Sequence, residues 1–296
     1  MKYVAIAVVA ILIILFIINL VDLNRYVKRT IAIYDEKVKK KLKICFVSDL
    51  HNYSCTPKFY EDIKEYNPDV IICGGDSITA NVGTNQNNAY VFLKKLSEIA
   101  PTYTALGNHE YRAKIYPDVY GDMYPEFEKK MSEYGITILS NNSKYFEEEN
   151  ILVSAAEIDR RFYKKLKKTT MEDGYIETLL GPVDKDKYNI LLAHNPDYFK
   201  SYNQYGSDLI FSGHLHGGLI RMPFLHGIAH PGVRFFPHYS GGVYNDKGKP
   251  IPYADGYVSS KNDIIRLVVS CGIGFHTLAI RLFNPGELIF VTIDSK

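Results

Sequence analysis

The sequence predicts an α/β protein, a buried sheet assembled from βαβ units and set behind an apolar amino-terminal helix. Three observations lead there. Between residues 42 and 109, short apolar runs alternate with stretches of helical spacing, the pattern of parallel strands joined by crossover helices. Hydrophobic residues make up 46% of the 296-residue chain against 23% charged, which supplies a core and excludes a disordered, collagen-like or coiled-coil chain. Residues 4–21 contain no charge at all.

That apolar run comes first in the chain. At ~1.5 Å per residue, 18 helical residues span ~27 Å, close to the hydrocarbon thickness of a bilayer. A signal peptide has a shorter apolar region and a small-residue cleavage site, which Ile18-Asn19-Leu20-Val21-Asp22-Leu23 does not offer. A core helix of a soluble protein carries a polar stripe, and this run has none. Residues 1–23 therefore read as an uncleaved single-pass anchor in the cell membrane, 24–41 as a basic juxtamembrane stem, and 42–296 as one catalytic-sized domain. Lys2 precedes the span, whereas Arg25, Lys28, Arg29, Lys37, Lys39, Lys40, Lys41 and Lys43 follow it. The positive-inside rule leans toward a cytoplasmic domain, although long domains are exported regardless of such charges.

In the domain, 42–48 reads as a strand, and 56–66 as a helix with Phe59, Ile63 and Tyr66 on one face. A second strand covers 69–73, a second helix 89–99 and a third strand 102–106. Residues 122–133 have helical spacing, and 136–139, 144–148 and 151–155 are short strands. Two more strands, 190–193 and 209–212, each run straight into a His-containing turn. The end, 279–283 then 288–293 across Asn284-Pro285-Gly286, predicts a hairpin.

Bulk composition excludes several functions. Lys plus Arg (35) against Asp plus Glu (33) leaves a net charge of +2, so no nucleic acid is expected as a partner. Cys45, Cys55, Cys73 and Cys271 show no C-x-x-C spacing, which removes zinc ribbons, thioredoxin-type chemistry and a disulfide framework. Cys45 and Cys73, in core strands, read as buried thiols.

The informative residues follow five strand-like runs: Asp49-Leu50-His51, Gly74-Gly75-Asp76, Gly107-Asn108-His109-Glu110, His194-Asn195, and Gly213-His214-Leu215-His216-Gly217-Gly218. Ligands of α/β sheets bind beyond the carboxyl ends of the strands, so these five ends converge on one place. They bring two carboxylates, an amide and up to five imidazoles. Oxygen and imidazole without thiolate suit Mn²⁺, Fe, Zn²⁺ or Co²⁺. Each piece alone is a common turn or a structural histidine; their order and placement are not.

In that order the residues resemble the calcineurin-like metallophosphoesterase superfamily, whose signature is D-x-H, G-D-x-x-D, G-N-H-[DE], H and G-H-x-H. The resemblance runs over residues 42–296. It looks nearest the membrane-anchored or exported bacterial branch of YkuE- and YaeI-like phosphoesterases and some UDP-2,3-diacylglucosamine hydrolases, supported by Phe46-Val47-Ser48-Asp49-Leu50-His51 and Ile280-Arg281-Leu282-Phe283-Asn284-Pro285-Gly286-Glu287. It implies two packed mixed sheets flanked by helices, an αββα sandwich. It also implies two divalent cations, manganese first. One sits on Asp49, His51, Asp76 and His216, the other on Asp76, Asn108, His194 and His214, with Asp76 bridging. A bridging anion reduces the repulsion of adjacent dications, and a water between them is activated for in-line attack on phosphorus. His109 is suited to stabilise or protonate the leaving oxygen, and Glu110 to orient His109 or a ligand. The second acid of the G-D-x-x-D box is here Thr79, which removes a supporting carboxylate but no ligand.

The expected function is a membrane-anchored phosphomonoester, phosphodiester or pyrophosphate hydrolase, its substrate a phosphate ester that is either water-soluble or lipid-linked. Two other classes compete: a catalytically silent, metal-stabilised binding protein on the same fold, and a nuclease, which would want a basic groove with interleaved aromatics. The run Arg160, Arg161, Lys164, Lys165, Lys167, Lys168 reads either as a solvated helix face or as a patch for anionic headgroups. Pro223-Phe224-Leu225 and Arg234-Phe235-Phe236-Pro237 could admit an acyl chain, and His226, His230 and His238 read as loop residues shaping the pocket.

Overall fold

The computed structural model describes all residues except 165–168, 223–225, 231–233, 262 and 276–278. Among the described residues, two seven-stranded sheets pack face to face with helices on both outer sides. The first sheet runs, edge to edge, Tyr257–Ser259, Tyr26–Tyr34, Gly286–Asp294, Leu42–Val47, Val70–Cys73, Thr102–Ala105, Thr137–Leu139. The second runs Pro250–Ile251, Gly242–Asn245, Ile265–Val269, Leu209–Ser212, Tyr188–Leu192, Ile151–Ala155, Asn142–Phe146. Both are mixed, as the αββα expectation requires.

The core explains the layering. Val70–Cys73 is apolar at every position and buried on both faces, because sheet covers one side and helix the other. Between the sheets, Phe46 stacks on Phe211 with ring centroids 4.5 Å apart. Outside the first sheet lie the helices Pro57–Tyr66, Asn87–Ser97 and Met123–Glu133; outside the second lie Tyr175–Leu180 and Phe199–Tyr205. Pro57–Tyr66 starts with proline in its first turn, where no amide hydrogen is needed, and stops at Asn67 in a left-handed cap at φ 52°.

Register levels the strand ends. Val47 pairs with Cys73, and Leu192 with Phe211, so the loops that follow leave each sheet at one height. The site is built there.

Three expectations need correction. The segment read as a basic stem holds a nine-residue strand, Tyr26–Tyr34, parallel to Gly286–Asp294 and inside the first sheet. Its charges are taken up by tertiary partners, Lys28 by Asp62 and Arg29 by Glu287. The carboxy-terminal hairpin does not form: Gly286–Asp294 pairs with Tyr26–Tyr34 and Leu42–Val47, while Leu282 bridges to Ile220. The supposed loop around His226 and His230 is instead a strand, His226–His230, between Ile220–Met222 and Arg234–Phe235 in a small antiparallel sheet. Pro223-Phe224-Leu225 and Lys165, Lys167 and Lys168 lie outside the described residues. Of the rest of the basic run, Arg161 is engaged by Glu172 at 2.8 Å and lies over the Phe162 ring.

Candidate metal centre

Each loop that leaves a level strand end delivers one or two polar side chains to the same point. Asp49 and His51 follow Leu42–Val47, Asp76 follows Val70–Cys73, and Asn108 and His109 open the helix Asn108–Ile115 after Thr102–Ala105. From the second sheet come His194, beyond Tyr188–Leu192, and His214 and His216, beyond Leu209–Ser212. The structure brings Asp49, His51, Asp76, His109, His194, His214 and His216 together, and Asn108 lies beside His109 at the start of its helix.

Asp49, His51, Asp76, His214 and His216 all take left-handed backbone, with φ between 48° and 70°. That conformation is unfavourable for residues with a side chain, and its concentration at five polar residues marks a functional site. Neighbouring glycines make room for it. A Cβ on Gly107 would lie 2.2 Å from Asp76 Oδ1, and one on Gly213 would lie 2.1 Å from Asp49 Oδ2.

Asp76 stands in the middle. Its Oδ2 is 3.1 Å from His194 Nε2 and 3.6 Å from His51 Nε2, while its Oδ1 accepts the His109 amide at 2.7 Å. His51 Nε2 and His216 Nε2 approach to 3.0 Å, and His216 Nε2 is 3.4 Å from Asp49 Oδ1. Candidate ligand atoms of Asp49, His51 and His216 thus form one group and those of Asp76, His194 and His214 another, and a third, of His51, Asp76 and His109, links the two. His194 Nδ1 donates to the Gly74 carbonyl at 2.8 Å, which turns its Nε2 toward the cluster.

The electrostatics are those of an ion site. Burial, with the charge of Asp76, pushes the Asp49 carboxyl up to about 6. Burial opposes ionisation of Asp76 too, but the imidazole of His194, 3.1 Å away, outweighs it and holds Asp76 well below the usual carboxylate range. Two buried oxygens, Asp49 Oδ2 and Asn108 Oδ1, have no hydrogen-bond partner. Leaving such an atom unsatisfied costs about 1–3 kcal/mol, a cost that a coordinated cation removes. Carboxylate, amide oxygen and imidazole together fit divalent Mn, Fe, Zn or Co.

Other contacts support the cluster. Of the two roles expected of it, orienting His109 or a ligand, Glu110 takes the second. It is fully buried and accepts the amides of Asp76 and Gly107 on one oxygen and of Ser77 and Ile78 on the other, so it braces the Asp76 loop. His109 is held by the Ala80 amide, which donates to Nδ1 at 2.8 Å and so fixes the neutral ring with its proton on Nε2. Thr79, which replaces the family acid, is itself pinned by Gln86 through its amide and carbonyl. Asn284 Nδ2 donates to the carbonyls of His216 and Gly218 and so shapes the last loop. In the sequence, the G-N-H-E spelling marks Glu110 and the run through Asn284-Pro285-Gly286 marks Asn284, whereas Ala80 and Gln86 carry no such sign.

The fold and the cluster define the metallophosphoesterase class. A family profile described as "Calcineurin-like phosphoesterase" (Metallophos) matches residues 42–218, and the chain belongs to this family. Among its relatives, the uncharacterized protein YpbG of Bacillus subtilis is 28% identical over 200 residues, covering 67% of this chain and 70% of that protein. An uncharacterized metallophosphoesterase of Campylobacter jejuni, Cj0846, is 26% identical over 267 residues; these cover 88% of this chain but only 61% of that longer relative. The UDP-2,3-diacylglucosamine pyrophosphatase LpxG of Chlamydia muridarum is 24% identical over 290 residues, covering 83% and 82%.

Proposed function

We propose that this chain is a membrane-anchored, two-metal hydrolase of phosphate esters or pyrophosphates whose substrate is lipid-linked. The position of Asp76 Oδ2, within reach of both imidazole groups, carries the reading. Asp49, His51, Asp76 and His216 would hold one cation, and Asp76, Asn108, His194 and His214 the second. Bound there, a divalent pair such as Mn²⁺ supplies an activated water and the positive charge that draws in a phosphoryl group.

The chain's own residues do the rest. His109, with its proton on Nε2, would donate a hydrogen bond from that atom to the leaving oxygen and offset the negative charge it gains as the ester bond breaks, the leaving group taking its proton from solvent. Ala80 keeps the ring in that tautomer, and Glu110 keeps Asp76 in place between the two groups. The apolar helix Lys2–Leu23 is long enough to cross a bilayer, and its last turn is bonded to the domain through Asn19 and Asp22, which supports an anchor that is retained. LpxG, by its name, acts on a diacylated sugar nucleotide, which favours a lipid-linked substrate for this relative of it.

The test is hydrolysis of bis(p-nitrophenyl) phosphate by the full chain in detergent, with Mn²⁺ and with chelator, alongside metal analysis. The expected result is about two ions per chain and turnover abolished by the chelator. Fully loaded protein that cleaves neither mono- nor diesters nor pyrophosphates would overturn the reading in favour of a silent binding protein.

A further inference from the structure

The join between helix and domain is too short and too well bonded to be a tether. The helix ends at Leu23 and the first strand begins at Tyr26. Its last turn is fastened on two sides. On one side, Asn19 Oδ1 accepts the Arg281 amide at 2.8 Å, and Asp22 Oδ2, buried, accepts the Asn284 amide at 3.0 Å. On the other, the Leu23 carbonyl accepts the Tyr53 hydroxyl at 3.0 Å.

Both sides lead straight to the candidate ligands. Tyr53 is two residues from His51, and Asn284 holds the His216 carbonyl at 2.7 Å. The Arg281 guanidinium, also buried, ties this segment down through the carbonyls of Asn284 and Cys271. One residue on each side therefore separates the end of the helix from the loops that carry His51 and His216.

The surface next to this junction is apolar. Phe283 adjoins Asn284 and is 47% exposed. Leu282 bridges to Ile220 of the small antiparallel sheet, whose last strand and turn present Phe235 and Phe236 at 70% and 63% exposure. Large exposed aromatic side chains gathered beside a membrane-spanning helix suit the headgroup layer.

Building on the reading as an anchored hydrolase, we infer that the domain is seated on the bilayer through Phe283 and the sheet Ile220–Met222, His226–His230, Arg234–Phe235. The metal cluster then opens at headgroup level and takes amphiphilic phosphoesters whose phosphorus lies in the interface.

Two measurements on the full chain reconstituted in phosphatidylcholine–phosphatidylglycerol vesicles test this. In a Cys55→Ser background, a bimane dye is placed at Phe236→Cys, at Phe283→Cys, or at Lys185→Cys, which precedes the strand Tyr188–Leu192 and so lies at the end of the sheet away from the cluster. With brominated lipid, quenching at the two phenylalanine positions should exceed that at Lys185 by at least about threefold. Equal quenching at all three overturns the seating. In the second measurement, a Gly-Ser insert of about twelve residues, reaching ~20 Å, is placed after Asn24 so that the tether remains while the docking is lost. The ratio of kcat/KM for vesicle-embedded hexadecyl p-nitrophenyl phosphate to that for soluble bis(p-nitrophenyl) phosphate should fall at least tenfold; an unchanged ratio overturns the inference. If wild type cleaves neither ester, the hydrolase reading fails, and the quenching still decides the seating.

Discussion

Replacing Glu110 by glutamine tests how the Asp76 loop is held. The carboxylate is buried and each oxygen takes two amides: Ser77 and Ile78 at 2.7 and 3.0 Å, Asp76 and Gly107 at 2.8 and 3.0 Å. Glutamine keeps the shape but has one acceptor oxygen, so two of the four donors meet an NH₂ group. A buried donor left unsatisfied costs roughly 1–3 kcal/mol, which bounds the loss at roughly 2–6 kcal/mol. Removing a buried negative charge beside Asp76 returns part of this, which leaves about 2–3 kcal/mol. For a domain of this size each kcal/mol moves Tm by about 2–4 °C, so a fall of about 4–12 °C is expected. The measurement is thermal unfolding with Mn²⁺ at pH 8, because burial and the charge of Asp76 push the Glu110 carboxyl up to about 7. Metal content should fall with Tm, since the braced loop carries Asp76. A Glu110→Gln protein that melts within about 2 °C of wild type would refute the bracing argument.

Among single ligand changes, Asp76→Asn should lose the most activity, because both groups share its Oδ2; retention of more than about a tenth of wild-type turnover, about 1.4 kcal/mol of barrier, would rule out the shared role. His109→Ala should keep its metal content yet lose about 10²–10⁴ in kcat, and lose less with p-nitrophenyl leaving groups, which need no proton. Equal losses across good and poor leaving groups would make His109 structural. Asp62 gives a pH signature. Burial raises its pKa, but hydrogen bonds from Lys58, Tyr26 and Lys28 outweigh that and hold it below the ordinary value. A depressed carboxylate stabilises the fold above its unfolded pKa of about 4 and loses that contribution as pH falls through its folded value. Asp62→Asn should therefore lower Tm at pH 7, with the gap closing in acid; a gap that stays constant with pH would show packing rather than charge.

The strand ends were legible because their chemistry is local. An apolar run followed by Asp-x-His or Gly-His-x-His announces itself within ten residues, and level register does the rest. Tyr26–Tyr34 was not legible. Its polar half looks like a solvated stem until Asp62 and Glu287, far along the chain, are placed against Lys28 and Arg29. Asn284-Pro285-Gly286 carries a genuine turn signal, yet the Asn284 side chain serves the His216 loop and Arg281 turns inward, so the residues before the turn never pair with the strand after it. The sequence offered Glu110 two roles and could not choose between them for a related reason: its four partners are backbone amides, which no residue type records.

The place of Gly286–Asp294 has a consequence for synthesis. These residues, translated after every other strand of the first sheet, are not an edge but pair on both sides, between Tyr26–Tyr34 and Leu42–Val47. Until they emerge, the first sheet is split, and the strand that delivers Asp49 and His51 lacks a neighbour. The apolar helix at the front of the chain leaves the ribosome about 260 residues earlier, at ~5–20 residues per second. For roughly 13–50 seconds after that helix emerges, Tyr26–Tyr34 and Leu42–Val47 therefore lack the strand that joins them. Truncation within Gly286–Asp294 would leave that gap open and the strand that delivers Asp49 and His51 unpaired on one side.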